Sequence, residues 1–229
     1  MQILLDLGAS SEVIARLPET DAWLGRGERE RLETMRHPQR RAQFLAGHGL
    51  ARELLARVEG GNWRDWQLER DAHGAPQALY RGRASKLHLS LAHSGTRIAC
   101  AVSDHPLGLD LESAPRQRDL LTLAETLYPT EFSRFLAQLD EDERRRHFYR
   151  RWTLDEAYGK ALGIGLQAKT LAHQHWRATN ERPAQAWTYD LDNGFLALAI
   201  PQSMQAWPQI AGQEILLTTP PQAWIREQA

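Results

Sequence analysis

"RRWTLDEAYGKALGIGL", residues 150–166, has the spacing of an amphipathic helix. At about 100° per residue, Leu154, Ala157, Tyr158, Ala161 and Leu162 gather into one apolar stripe. Trp152, Glu156 and Lys160, spaced i, i+4, i+8, line the opposite side. The stripe reads as a face packed on a core. The other face carries a carboxylate and an ammonium in single file just before a glycine-rich end. Taken alone, Glu156 and Lys160 are a surface pair worth about 0.3–0.5 kcal/mol.

A second acidic element changes that reading. In "LGLDLES", residues 107–113, a period of two puts Leu107, Leu109 and Leu111 on one face and Gly108, Asp110 and Glu112 on the other. Two carboxylates on neighbouring same-face positions repel unless they are solvated or share a cation. With Glu156 they form a set able to hold Mg²⁺, a hard ion that takes oxygen ligands and keeps waters or substrate phosphates. Lys160, one turn beyond Glu156, sits where a bound phosphate needs a countercharge.

Outward from these two stretches the chain alternates between sheet and helix. "MQILLDL" opens as a strand, and "HPQRRAQFLAGHGLARELLARV" is a clear helix. "WQLERDAHGAPQAL" reads as a turn-rich connection, followed by a sheet-like run from Lys86 to Ser113 with turns at "HSGT" and "DHPL". Helices are expected in "LLTLAETLY", from Thr130 in "TEFSRFLAQL", and from about Asp142 to Leu162. "AWTYDLDNGFLALAI" carries a hairpin signal at Asn193 and Gly194. Gly95 opens the apolar run Ile98 to Val102, and Gly194 opens Phe195 to Ile200, a faint internal echo in which the first copy runs on into the acidic strand. The expected organisation is an N-terminal subdomain over 1–112, a linker "SAPRQRD" at 113–119, and a C-terminal subdomain over 120–229, in an α+β fold.

Composition sets bounds on function. The 229 residues carry a net charge of −1, 42% hydrophobic content and eight tryptophans. Nothing global favours nucleic acid or an anionic membrane. The single cysteine, Cys100, excludes an intramolecular disulfide and a cysteine metal cluster. There is no basic n-region and no apolar run of spanning length, so a cytoplasmic protein is expected. His147, His173 and His175 lack a zinc pattern. The charged "EDERRRHFYRR", 141–151, reads chiefly as i, i+4 pairing of Asp140, Glu141 and Asp142 with Arg144, Arg145 and Arg146.

"GLDLE" at 108–112 followed by "WTLDEAYGKALGIGL" at 152–166 resembles the paired signature of the 4′-phosphopantetheinyl transferases. "HLSLAHSG" at 88–95 and "LYPTE" at 127–131 are similar to flanking segments of that family. The length resembles the double-length, Sfp-type branch, whose two similar subdomains form a pseudo-dimer within one chain. The resemblance implies a monomer that moves phosphopantetheine from coenzyme A to a serine of an apo acyl or peptidyl carrier protein, releasing 3′,5′-ADP. It implies Mg²⁺, or Mn²⁺, on Asp110, Glu112 and Glu156, with Glu156 and Lys160 catalytic and Lys160 on the phosphates. It also implies coenzyme A contacts at His93 and Ser94, with Arg41 and His48 on the preceding helix.

Four positions depart from the family pattern, and all weaken anion binding or its support. Asp155 stands for a lysine, His48 for an arginine, Ala75 for a lysine and Ala92 for a serine. Each lost charge-assisted contact costs about 1.5–3 kcal/mol unless compensated. Nearby compensating cations are Arg36, Arg40 and Arg41, and Arg81, Arg83 and Lys86. Two other readings stand beside the transferase: a relative that binds coenzyme A or a carrier protein without turnover, and an unrelated metal-dependent phosphoryl hydrolase.

Overall fold

Asp140 accepts a hydrogen bond from the Glu143 amide at 2.8 Å and so starts the longest helix of the second half, which runs to Ala161 and ends where Gly163 takes φ 70°. The structure is a computed structural model describing residues 2–18, 21–71, 74–113, 118–167, 171, 174–181, 183–205, 208–210 and 220–227. It divides into two units, Met1–Leu107 with Ala206–Ile215, and Gly108–Gln205 with Leu216–Ala229.

The first unit runs β1 (Ile3–Ala9), α1 (Ser10–Ala15), α2 (Arg26–Thr34), α3 (Pro38–Glu59), β2 (Trp66–Arg70), β3 (Pro76–Tyr80), β4 (Arg83–Ser94) and β5 (Arg97–Ser103). The second runs β6 (Gly108–Ser113), α4 (Leu120–Leu127), α5 (Thr130–Ala137), α6 (Glu141–Ala161), β7 (His175–Thr179), β8 (Ala184–Leu191) and β9 (Gly194–Met204). Next comes β10 (Gln209–Ile210), which pairs parallel to β1, and then β11 (Gln222–Glu227), which lies between β8 and β7. The sheet orders are β10-β1-β5-β4-β3-β2 and β6-β9-β8-β11-β7.

Helix α3 buries Ala46, Leu50, Leu54 and Leu55 against Leu4, Ile98, Cys100 and Val102 of the first sheet. In the second unit, Leu154, Ala157 and Tyr158 of α6 pack on Ala186, Ala197 and Ala199, small residues that let the helix lie close to the strands. The opening half of α6 joins α4 and α5 in a separate cluster of Ala124, Tyr128, Leu136, Phe148 and Tyr149.

The two units repeat one order. Each begins with a strand, passes through helices, and returns to a hairpin whose second strand lies antiparallel to the first one. Gly95 lies in the turn between β4 and β5, and Gly194 is the first paired residue of β9, so the two glycines mark corresponding hairpins at different positions. The place that β3 holds in the first sheet is filled by β11 in the second.

The acidic strand corrects the expected boundary. Gly108–Ser113 is the opening strand of the second unit, the counterpart of β1, because it pairs with β9 and lies under α6. The division thus falls at Leu107/Gly108, ahead of the expected linker, whose residues 114–117 lie outside the described ones. The expected turn-rich connection forms β2 and β3, where Leu68 and Ala78 pair across the strands and are buried. Leu162, placed in the apolar stripe, is 40% exposed because the helix ends one residue before it. Among the described residues no helix is long and apolar enough to cross a membrane.

Candidate active site

The alternation of β6 settles which side chains face α6. Leu109 and Leu111 are buried, while Asp110 and Glu112 are half-buried on the other face. At Gly108 the strand and helix backbones meet: a Cβ there would lie 1.9 Å from the Ala157 carbonyl oxygen and 2.5 Å from the Ala161 nitrogen. Lys160, the next turn of α6, reaches over this contact. Its Nζ donates to Asp110 Oδ1 at 2.7 Å and to the Leu109 carbonyl at 3.0 Å.

Burial raises the pKa of Glu156 above the usual carboxylate range, and the negative charges of Asp110, Glu112 and Asp155 push it further, while Lys160 pulls it back. Asp110, Glu112, Glu156 and Lys160 therefore share one electrostatic neighbourhood holding more negative than positive charge. Among the described residues no three His, Cys, Asp or Glu side chains already stand as a metal cage. Instead, the Lys160 ammonium occupies Asp110 Oδ1. The donors are all hard carboxylate oxygens, the ligand chemistry of a hard divalent cation such as Mg²⁺.

Asp155 points elsewhere. Its side chain is fully buried, accepting from Arg151 Nε at 2.7 Å and from Trp176 Nε1 at 2.8 Å. Arg151 also donates to the Gln174 carbonyl and lies over the Tyr128 ring. Trp152 stacks on Phe148 with ring centroids 6.1 Å apart and packs on the α4–α5 cluster, so it belongs to the core of its unit.

The remaining expected site residues belong to the first unit. His93 is exposed and Ser94 half-buried at the end of β4, beside a hairpin tip whose Gly95 carbonyl accepts from Gln39 and Gln43 of α3 at 2.7 and 2.8 Å. Arg41 Nη1 donates to the Leu32 carbonyl at 2.5 Å, tying α3 to α2. His48, expected to contact coenzyme A, lies in the interior of the first unit. It is only 8% exposed, and its Nδ1 stands 2.5 Å from Glu28 Oε1. The other Glu28 oxygen takes Arg52 Nη2 at 2.5 Å, and Arg52 is fully buried with its guanidinium 4.9 Å from the Trp23 ring. Ala92 is buried and Ala75 sits in a turn closed by Asp71. Of the proposed compensating cations, Arg81 is engaged by Asp65 at 2.9 Å.

Sequence reasoning passed over both buried ion networks. Glu28 is separated from its partners by 20 and 24 residues, beyond any helical period. The i, i+4 spacing of Arg151 and Asp155 was legible; Trp176 as the second partner was not. In "EDERRR", Arg145 meets Asp142 at 2.5 Å with i, i+3 spacing and not the expected i, i+4, while Arg144 caps carbonyls of Leu136 and Leu139 and Arg146 faces Asp190.

Residues 106–203, the stretch holding β6 and α6, match the family model of the 4′-phosphopantetheinyl transferase superfamily. The chain is 31% identical over 154 residues to the 4′-phosphopantetheinyl transferase HetI of Nostoc sp., a match covering 66% of this chain and 65% of HetI. It is 27% identical over 179 residues to the transferase Sfp of Bacillus subtilis, covering 73% of this chain and 77% of Sfp. A putative 4′-phosphopantetheinyl transferase of Synechocystis sp. is 28% identical over 202 residues, covering 80% of this chain and 81% of that protein. A holo-(acyl-carrier-protein) synthase from Bacillus anthracis, solved in complex with CoA, matches 44% of this chain and 92% of its own at 21% identity, with a TM-score of 0.37.

Proposed function

We propose a reaction for this chain, which belongs to the 4′-phosphopantetheinyl transferase superfamily: it transfers the phosphopantetheine arm of coenzyme A to a serine of an apo acyl or peptidyl carrier protein. The double-length, Sfp-type branch is the one its two repeated units support. The observation that carries the reading is Lys160 Nζ on Asp110 Oδ1, with Glu112 and Glu156 in the same neighbourhood, inside the stretch that the family model covers.

In this mechanism the serine oxygen attacks the phosphorus that bears the pantetheine arm. The bond from that phosphorus to 3′,5′-ADP breaks, and 3′,5′-ADP leaves. Glu156 accepts the serine proton. Lys160, swinging from Asp110 toward the phosphates, stabilises charge that grows on the phosphoryl oxygens. Asp110, Glu112 and Glu156 would hold Mg²⁺, which would polarise the pyrophosphate and screen its charge. His93, Ser94 and Arg41 remain the candidates for coenzyme A contacts, while His48 serves the fold of the first unit. The working form is a cytoplasmic monomer.

The test is an intact-mass spectrum of apo carrier proteins of several classes incubated with this protein, coenzyme A and Mg²⁺. The expected result is a gain of one phosphopantetheine arm, absent with Glu156→Ala and with chelator. No gain on any carrier, with coenzyme A still bound, would make the chain a non-catalytic relative.

A further inference from the structure

Asp155 is a buried carboxylate next in sequence to the proposed base, and the mechanism leaves it without a task. Its side chain is 0% exposed. Taking a carboxylate and a guanidinium out of water costs several kcal/mol per ion, and an apolar pair of similar volume often serves stability as well or better. A buried ion pair is therefore weak ground for stability and better suited to fixing a geometry.

The geometry fixed here is the rotation of α6. On one side, the helix backbone rests on Gly108, and Lys160 reaches Asp110 and the Leu109 carbonyl. On the other, Asp155 takes hydrogen bonds from Arg151 at 2.7 Å and from Trp176 of β7 at 2.8 Å. Arg151 closes the loop by donating to the Gln174 carbonyl. Arg151 is held in turn by the rings of Tyr128 and Phe132, at 5.2 and 5.7 Å. Residues 155 and 156 project about 100° apart on the helix, so a tether on the first sets the direction of the second.

We infer that Asp155 is a positioning residue: by tying α6 to Gln174 and Trp176 through its own carboxylate and Arg151, it sets the rotation that aims Glu156 toward Asp110 and Glu112. The inference rests on the proposed metal reading. It gives the acid at position 155, where the family pattern has a lysine, a task within this chain.

Two variants of the full chain test it. Trp176→Phe removes the indole N–H and keeps a smaller aromatic ring against Tyr158; Asp155→Asn keeps the shape and removes the charge. Mn²⁺ is the probe, its binding in the presence of coenzyme A read from the loss of the free-ion EPR signal, beside kcat, KM for coenzyme A and thermal unfolding. Each variant is expected to weaken Mn²⁺ binding and lower kcat by about tenfold, the worth of one charge-assisted hydrogen bond, with KM for coenzyme A unchanged. Wild-type Mn²⁺ affinity and kcat in both variants overturn the inference. If Asp155→Asn does not fold, Trp176→Phe decides alone. A wild-type protein that binds no Mn²⁺ overturns the metal reading and this inference with it. One that binds Mn²⁺ but transfers nothing overturns only the reaction, and the affinities then decide.

Discussion

Gly108 and Ala157 meet backbone to backbone, with 1.9 Å between the Ala157 carbonyl oxygen and the place a Cβ would occupy on Gly108. The obstacles are main-chain atoms of a packed helix, which have no rotamer to turn away. Gly108→Ala therefore lifts α6 from β6 and parts Lys160 from Asp110. The expected loss is about 3 kcal/mol, the upper end of overpacking penalties. Urea unfolding of the variant measures it, and a loss below experimental error would mean that helix and strand are further apart than described.

Lys160 is the cation that offsets three neighbouring carboxylates. Lys160→Met is expected to lower kcat by about 10²–10³, as for loss of a donor to developing phosphoryl charge. It also removes the influence that pulls the Glu156 pKa down, leaving burial and the acidic neighbours. A base works only when deprotonated, so the acid limb of the pH–rate profile moves to higher pH in the variant. A limb that stays in place would separate Lys160 from Glu156.

Glu28 gives the first unit a distinct acid lability. Burial alone would raise its pKa, but hydrogen bonds from His48 and Arg52 outweigh that and bring it to about 2 from the ordinary 4.5. The folded state thus binds this proton less readily than the unfolded chain. The stabilisation is present above pH 4.5 and is lost as pH falls toward 2, amounting to roughly 3 kcal/mol. Glu28→Gln is expected to flatten this dependence, and to destabilise at neutral pH by leaving Arg52 buried without its counter-ion. Fluorescence of Trp23, which lies against Arg52, follows both.

Cys100 is fully buried in β5, and burial pushes its thiol pKa up, so the reactive thiolate is suppressed. The native protein is expected to resist a disulfide reagent such as DTNB and to react once the first unit opens. Labelling at native rates equal to those in denaturant would contradict the burial.

Much of the second unit was legible from two periodicities. The 3.6-residue stripe of α6 put Leu154, Ala157, Tyr158 and Ala161 inside, and the two-residue alternation of β6 separated Leu109 and Leu111 from Asp110 and Glu112. Both signals are local, and local signals survive in a sequence. The assignment of β6 to its unit was not legible, because its partners Leu196 and Ala197 lie more than eighty residues away. The same holds for Glu28 with Arg52 and for Asp155 with Trp176, where only the fold brings the residues together. His48 looked like a weakened ligand because its position, and not its burial, was all that could be read.

The insertion of β11 between β8 and β7 bears on the order in which the protein is made. On the ribosome, β6, α6 and the β8–β9 hairpin emerge well before Gln222–Glu227, and among the described residues β7 pairs with β11 alone. Until that strand arrives, β8 presents an open edge and β7 has no neighbour. Biosynthesis must therefore hold a half-built sheet in waiting, and pausing or proteolysis between residues 205 and 222 would strand it there.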